Sequence, residues 1–350
     1  MNGLFNSATV EPMKKLLYLL VCLFAVCSCG RGNGLYTQTR VIMGTYVTIT
    51  LNRSGKTEDG LAKAAGDAFA RITKVDDLMS TYKPMSNLSR INAASGIAPV
   101  PADPEVIENV EDASYVSRLT GGAFDVTVGP LVNAWEIGSK DAHIPSPQTI
   151  KKALSLVGWQ NIAVDKNAGT VFLKKRGASI DLGAIAKGYA SDRAVAALLE
   201  DGIKGGIVAC AGDIKTFGTK PDGAAWTVGI QNPRGPEGAV MAKLPLADTA
   251  ISTSGDYERF FIKDGKRYCH IMDPHTGYPA SGLMSVTVLA KDSWLADSMG
   301  TALFVLGPKK AYALALRHPE LEVLMITDSG EVLATGRFKG MKVNVAAEKK

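Results

Sequence analysis

Asp297 and Thr301 stand four residues apart in a stretch whose pattern predicts a helix, so the two side chains share one face. A carboxylate and a hydroxyl among alanine and glycine suit a hard cation such as Mg²⁺, which keeps some waters or phosphate oxygens. The same pair also fits a plainer role: an aspartate satisfying helix N-terminal donors and a threonine bonding its own i−4 carbonyl. A second chemical segment runs from Ser179 to Ala190, Ser-Ile-Asp-Leu-Gly-Ala-Ile-Ala-Lys-Gly-Tyr-Ala. It reads as a strand end, a glycine turn and the first turns of a helix, where free N–H groups at the positive end of the dipole favour phosphate. Lys187 adds a point charge there and Asp181 an acceptor. The pattern is neither a P-loop nor a Rossmann fingerprint, and an ordinary strand-to-helix corner with a solvated lysine is the alternative.

His270 lies on an expected strand beside the turn-rich run Asp273-Pro274-His275-Thr276-Gly277. It is a candidate general base near neutral pH, or a structural histidine bonded to nearby backbone. His270 and His275 are five apart with a proline between them, unlike a zinc-binding His-Glu-x-x-His helix. Ala211-Gly212-Asp213 and Thr253-Ser254-Gly255-Asp256 form polar turns at strand ends, where ligands are commonly held. In Gly122 to Pro130, Phe124 is either core packing or a flat surface for a ring system. No Ser-His-Asp elbow, Cys-His pairing or glycosidase-type carboxylate pair stands out.

Several elements must position these groups. Leu61, Ala65, Ala68, Ile72, Val75 and Met79 recur at helical spacing and predict a helix over Glu58 to Met79. Asp103 and Pro104 open a second helix that stops at Gly121, and Ser146-Pro147 open a third that ends near Gly158. Further helices are expected at Ala184 to Glu200, Ser293 to Val305 and Lys309 to His318. Strands are expected at Thr39 to Leu51, Ile162 to Lys174, Gly205 to Cys210, Trp226 to Ile230 and Ala250 to Ser252. Others follow at Arg259 to Ile262, Tyr268 to Met272, Ser285 to Leu289 and Leu321 to Thr327. Several strands in succession point to an α+β fold with mixed sheets flanked by helices, not a regular βαβ repeat.

The 350 residues carry 46% hydrophobic and 21% charged side chains, the composition of a globular protein. A formal charge of +5 without a basic stripe interleaved with aromatics argues against nucleic acid as a partner. Met13-Lys14-Lys15, the apolar run Leu16 to Val26 and Cys27-Ser28-Cys29 fit a secretory signal, with Met13 as its better start. Val26-Cys27-Ser28-Cys29 resembles a bacterial lipoprotein box with Cys29 lipidated. Residues 1–28 are therefore expected to be a signal peptide, 29–38 a lipidated tether and 39–345 the folded domain. The expected location is the cell envelope, anchored to the inner or outer membrane, with the domain outside the cytoplasm. Cys210 and Cys269 remain as a pair or as two thiols, too few for a disulfide framework.

Taken together, the segments resemble the ApbE family, the FAD:protein FMN transferases, related to the T-fold. The motifs appear in family order: Met43-Gly-Thr-Tyr-Val-Thr-Ile, Ser80-Thr-Tyr-Lys-Pro with Ser89-Arg-Ile-Asn92, Thr120 to Leu131, and Asp181 to Ala190. Thr253 to Tyr257, His270 to Pro279 and Ala296 to Thr301 follow. The resemblance implies Mg²⁺-dependent transfer of FMN from FAD to a threonine or serine hydroxyl of an exported flavoprotein, a subunit of a membrane redox complex, with AMP leaving. It implies FAD contacts from Met43, Tyr82, Ala123, Phe124, Asp125, Asp181, Lys187 and Ile271. It also implies a cation on Asp297, Thr301 and the main-chain oxygen of Ala184. His270 is then the expected base, with Asp273 or a metal-bound water as rivals, and Lys187 offsets phosphate charge. FAD hydrolysis to FMN and AMP, or flavin binding without turnover, are the competing readings. One departure stands out: two glycines usually precede the aspartate where this chain has Ala211-Gly212-Asp213.

Overall fold

The strand expected from Thr39 to Leu51 begins earlier and folds back on itself. In the computed structural model, which describes residues 34–53, 55–236 and 238–345, β1 (Leu35–Ile42) pairs antiparallel with β2 (Thr45–Asn52). Met43 and Gly44 between them both have positive φ, 55° and 69°, as a two-residue type I′ hairpin requires. Methionine seldom adopts that conformation, so its presence masked the turn. Residues 35–38, expected in the tether, belong to the sheet. The signal and Cys29 lie outside the described residues.

α1 (Glu58–Met79) is capped by Thr57, whose hydroxyl accepts from Gly60 N, and it buries the apolar stripe that its spacing predicts. α2 (Asn87–Ala93), capped by Ser86, was not expected; its two turns are too short to display a period. β3 (Val100–Pro101) and α3 (Pro104–Leu119) follow, the latter opened by Asp103 as cap. Next come α4 (Gly129–Trp135), also unexpected, and α5 (Pro147–Leu154). The long strand expected at Ile162 to Lys174 is a second hairpin, β4 (Ile162–Asp165) with β5 (Thr170–Leu173). α6 (Ala186–Glu200) starts two residues later than expected.

β6 (Gly206–Cys210), β7 (Asp213–Phe217), β8 (Trp226–Gln231), β9 (Val240–Leu246) and β10 (Ala250–Gly255) come next. β11 (Phe260–Lys263) and β12 (Lys266–Cys269) turn on Asp264-Gly265, again with positive φ at both positions. β13 (Leu283–Ala290), α7 (Ser293–Arg317), β14 (Glu322–Thr327) and β15 (Val332–Ala334) complete the order. Gly307, at φ 70° and ψ 170°, breaks α7 ahead of Pro308, so its two halves match the two helices expected from the sequence.

Eight strands form one antiparallel sheet in the order β1-β2-β6-β7-β10-β13-β14-β15. Its core joins Val47, Ile49 and Leu51 of β2 to Leu61, Phe69 and Ile72 of α1, Tyr189 of α6 and Phe304 of α7. A second cluster sets the β8–β9 hairpin, through Val228, Ile230 and Leu244, against Ile251, Leu289 and Leu324. A third holds the segment after β12. Trp135 stacks on Tyr268 at 5.7 Å, and its Nε1 donates to Gly277 O at 2.9 Å. The fold is thus α+β, and the antiparallel sheet explains the run of successive strands. Among the described residues no helix is long and apolar enough to cross a membrane.

Candidate active site at the meeting of two helix N-termini

The polar segment leading into α6 is fixed from several sides. Asn92 forms a two-bond clamp on Ile180, donating from Nδ2 to its carbonyl (2.9 Å) and accepting its N–H at Oδ1 (2.7 Å). Asp181 N donates to Val126 O at 2.8 Å, and Asp181 Oδ1 accepts Gly183 N at 2.7 Å. This small Asx turn delivers Ala184 and Ile185 to the start of α6. No side chain of its own caps that helix. The carboxylate of Asp297 on α7 substitutes for a cap, accepting the Gly188 N–H at 3.1 Å. In a regular helix that N–H would go to the carbonyl of Ala184, four residues back. Its diversion to Asp297 leaves the Ala184 carbonyl without that bond.

The reverse clasp is made by Asp192 of α6. Its carboxylate accepts Ser293 N at 3.0 and 2.8 Å and Trp294 N at 3.0 Å, capping the start of α7. Lys215 on β7 lies 3.2 Å from the same carboxylate. Such intimacy requires glycine at 188, where a Cβ would lie 2.3 Å from Ser293 O and 2.7 Å from Trp294 N. Gly188→Ala is therefore expected to lose about 3 kcal/mol of stability by overpacking. Urea unfolding measures this, and an unchanged midpoint would mean the helices part freely.

Lys187 sits where these elements converge. Its Nζ is 2.9 Å from Asp213 Oδ2 and 3.4 Å from both oxygens of Asp297, and it donates to Gly183 O at 3.1 Å. Asp213 and Asp297 are both buried, at 3% and 4% exposure. Asp213 is further held by the Ser252 hydroxyl, and Ser254, two residues along β10, meets Thr301 at 3.5 Å. Burial pushes the Asp297 carboxyl upward and the charge of Asp213 adds to this, with Lys187 opposing. Burial works against the Lys187 charge, yet the two carboxylates outweigh it and raise its pKa. Two buried carboxylates facing one ammonium leave a net negative charge.

That arrangement fits a hard divalent cation. Asp297, Thr301 and the freed Ala184 carbonyl supply oxygen donors, and the excess negative charge favours it. Among the described residues no three His, Cys, Asp or Glu side chains converge as a metal cage, so such an ion would complete its shell with water or substrate oxygens.

His270 follows directly on β12. Its main-chain N–H and ring Nδ1 both reach the carbonyl of Arg259, at 3.0 and 3.3 Å. A carbonyl only accepts, so Nδ1 carries the proton and Nε2 keeps a free lone pair. Burial, with the charges of Arg259 and Lys187, lowers the ring pKa to about 4, so the imidazole is neutral at pH 7.

The remaining expected residues divide. Met43 occupies the αL turn of the first hairpin, and Tyr82 is 89% exposed on the loop before α2. Ala123, Phe124 and Ile271 are buried, so Phe124 packs in the core instead of offering an open surface. Asp125 accepts from Thr127 N, Thr127 Oγ1 and Trp159 N, which engages both of its oxygens in shaping the loop. Asp273 closes its own turn, accepting His275 N at 2.8 Å. Cys210 and Cys269 are buried free thiols.

Asp213 and Asp192 were not expected as functional residues. Asp213 did stand out in a polar turn, and Ala211 there has φ 55°. A non-glycine residue in that region costs about 1 kcal/mol, which accounts for the usual glycine. Asp192 gave no signal, because its partners lie 101 and 102 residues away.

The chain is similar to known proteins over most of its length. The family model described as the ApbE family matches residues 43–325. A Salmonella typhimurium protein named FAD:protein FMN transferase is 37% identical over 82% of this chain and 85% of its own. A Treponema pallidum protein of the same name is 33% identical over 91% and 92%. The crystal structure of the ApbE protein from Thermotoga maritima superposes with a TM-score of 0.81 at 34% identity, covering 89% of this chain and all of that one. The flavin transferase ApbE from Vibrio cholerae gives 0.78 at 31%, over 89% and 100%. With the Asp181 to Ala190 and Ala296 to Thr301 segments meeting at Lys187, and an identity above 30% across nearly the whole fold, this chain is a member of the ApbE family.

Proposed function

We propose that this chain is a FAD:protein FMN transferase that moves FMN from FAD to a threonine or serine hydroxyl of an acceptor protein and releases AMP. The observation that carries the reading is Lys187 held between buried Asp213 and Asp297 beside the diverted carbonyl of Ala184. Asp297, Thr301 and Ala184 O would hold Mg²⁺, which when bound offsets charge on the pyrophosphate and on the leaving AMP. Lys187, fixed by its two carboxylates, presents a preorganised positive charge to the phosphate. His270 accepts the proton of the attacking hydroxyl at Nε2, while the Arg259 carbonyl keeps the ring in the required tautomer. Entry of an anionic pyrophosphate beside His270 raises its pKa from about 4 toward the working range.

The acceptor would be an exported subunit of a membrane redox complex, and the lipidated Cys29 would keep the enzyme at the envelope membrane beside it. Neither follows from the geometry; both rest on the family resemblance and the sequence before the sheet. The test is to incubate the protein with FAD, Mg²⁺ and a candidate acceptor, following AMP and protein-bound flavin. AMP with a covalent flavin band is expected. AMP with free FMN only would mean a hydrolase, and no AMP would leave a binding protein.

A further inference from the structure

Three arginines surround the segment that presents His270, and two of them are engaged by a carboxylate. Arg234 makes a bidentate pair with Asp256 at 2.7 and 2.8 Å. Arg267 Nε lies 3.6 Å from the same carboxylate, with its guanidinium over the Phe260 ring. Arg259 differs. It is exposed, and among the described residues no carboxylate pairs with it. Its stem is nonetheless placed: a Cβ at Gly138 would meet Arg259 Cδ at 3.0 Å. Its carbonyl receives both N–H groups of His270, so the residue is tied to the expected base. Lys187, in contrast, already faces two carboxylates. A guanidinium that no carboxylate of the described residues engages, on a residue whose carbonyl holds His270, has the planar donor fork that matches phosphate oxygens.

We propose that Arg259 binds the pyrophosphate of FAD on the His270 side of the site. The inference rests on the reading above that FAD is the substrate. Arg259 is thus a substrate-binding residue whose main chain orients the base and whose side chain grips the anion.

Calorimetric titration of the full chain with FAD and with riboflavin, which lacks phosphate, tests this. Arg259→Gln is expected to weaken FAD binding about 10- to 100-fold, as loss of a charge-assisted hydrogen bond does. Riboflavin affinity stays as in wild type, and Arg259→Lys recovers part of the loss. FAD affinity within twofold of wild type in Arg259→Gln overturns the proposal, and a raised KM for the acceptor alone would assign Arg259 to the acceptor instead. An equal loss for riboflavin also overturns it, since the ring site would then be disturbed. Failure of the FAD reading itself appears differently, as wild-type protein that releases no AMP from FAD.

Discussion

His270→Ala is expected to bind FAD as wild type does while single-turnover flavin transfer falls about 10²- to 10⁴-fold, the range for loss of a positioned base. The side chain touches the protein through a ring contact to the Arg259 carbonyl, while its main-chain bond to the same oxygen survives substitution. The fold around it should therefore persist. The pH profile adds a second readout. The unprotonated ring is the proposed active form, so with Mg²⁺ saturating and Asp297 held ionised by it, kcat/KM should stay level from pH 7 to 5 and fall only as pH drops through about 4. An acid limb near the ordinary histidine value, about 6.5, would contradict the neutral, desolvated ring. Unchanged transfer in the alanine variant would remove His270 from the mechanism and return the role to Asp273 or a bound water.

Asp297→Asn should abolish Mg²⁺-dependent transfer, a loss of about 10³ or more for several kcal/mol of charge stabilisation. The amide still accepts the Gly188 N–H, so the clasp between α6 and α7 is kept while the charge is removed. Its effect on the metal-free protein should have the opposite sign. Asp297 is buried against Asp213 and its pKa is raised, so ionisation is unfavourable in the folded state. Stability from this group is present at low pH and lost as pH rises above the ordinary carboxyl value. At pH 8 the variant should therefore melt no lower than wild type without Mg²⁺. Added Mg²⁺ should raise the melting temperature of wild type and leave that of the variant unchanged. Full activity of Asp297→Asn, or an equal Mg²⁺ shift in both proteins, would sink the metal assignment.

The sequence made the long elements legible and hid the tight turns. α1 and α3 were readable because their caps and apolar spacing are local. The β1–β2 and β4–β5 hairpins read as single strands, since Met43-Gly44 and the loop before Gly169 lack the usual Asn-Gly signature. Asp264-Gly265 does carry such a signature, and there the two strands were separated correctly. Asp297, Thr301 and Lys187 were singled out by family order, and the structure brings Lys187 to 3.4 Å from Asp297. Asp213 and Asp192 act through contacts to segments far along the chain, which no local pattern records. The Asp125 motif was legible too, while its bonds to Thr127 and Trp159 were not.

The crossed clasp at the helix starts, Asp297 on Gly188 and Asp192 on Ser293 and Trp294, has a kinetic consequence. Each helix is capped by the other, so neither can swing without exposing the other's amides. Lys187 and Asp297 are thus held at one spacing, and a cation on Asp297, Thr301 and the Ala184 carbonyl would need no conformational search. The polar centre is thereby stiff by construction, its spacing set by the ends of the two helices that carry it.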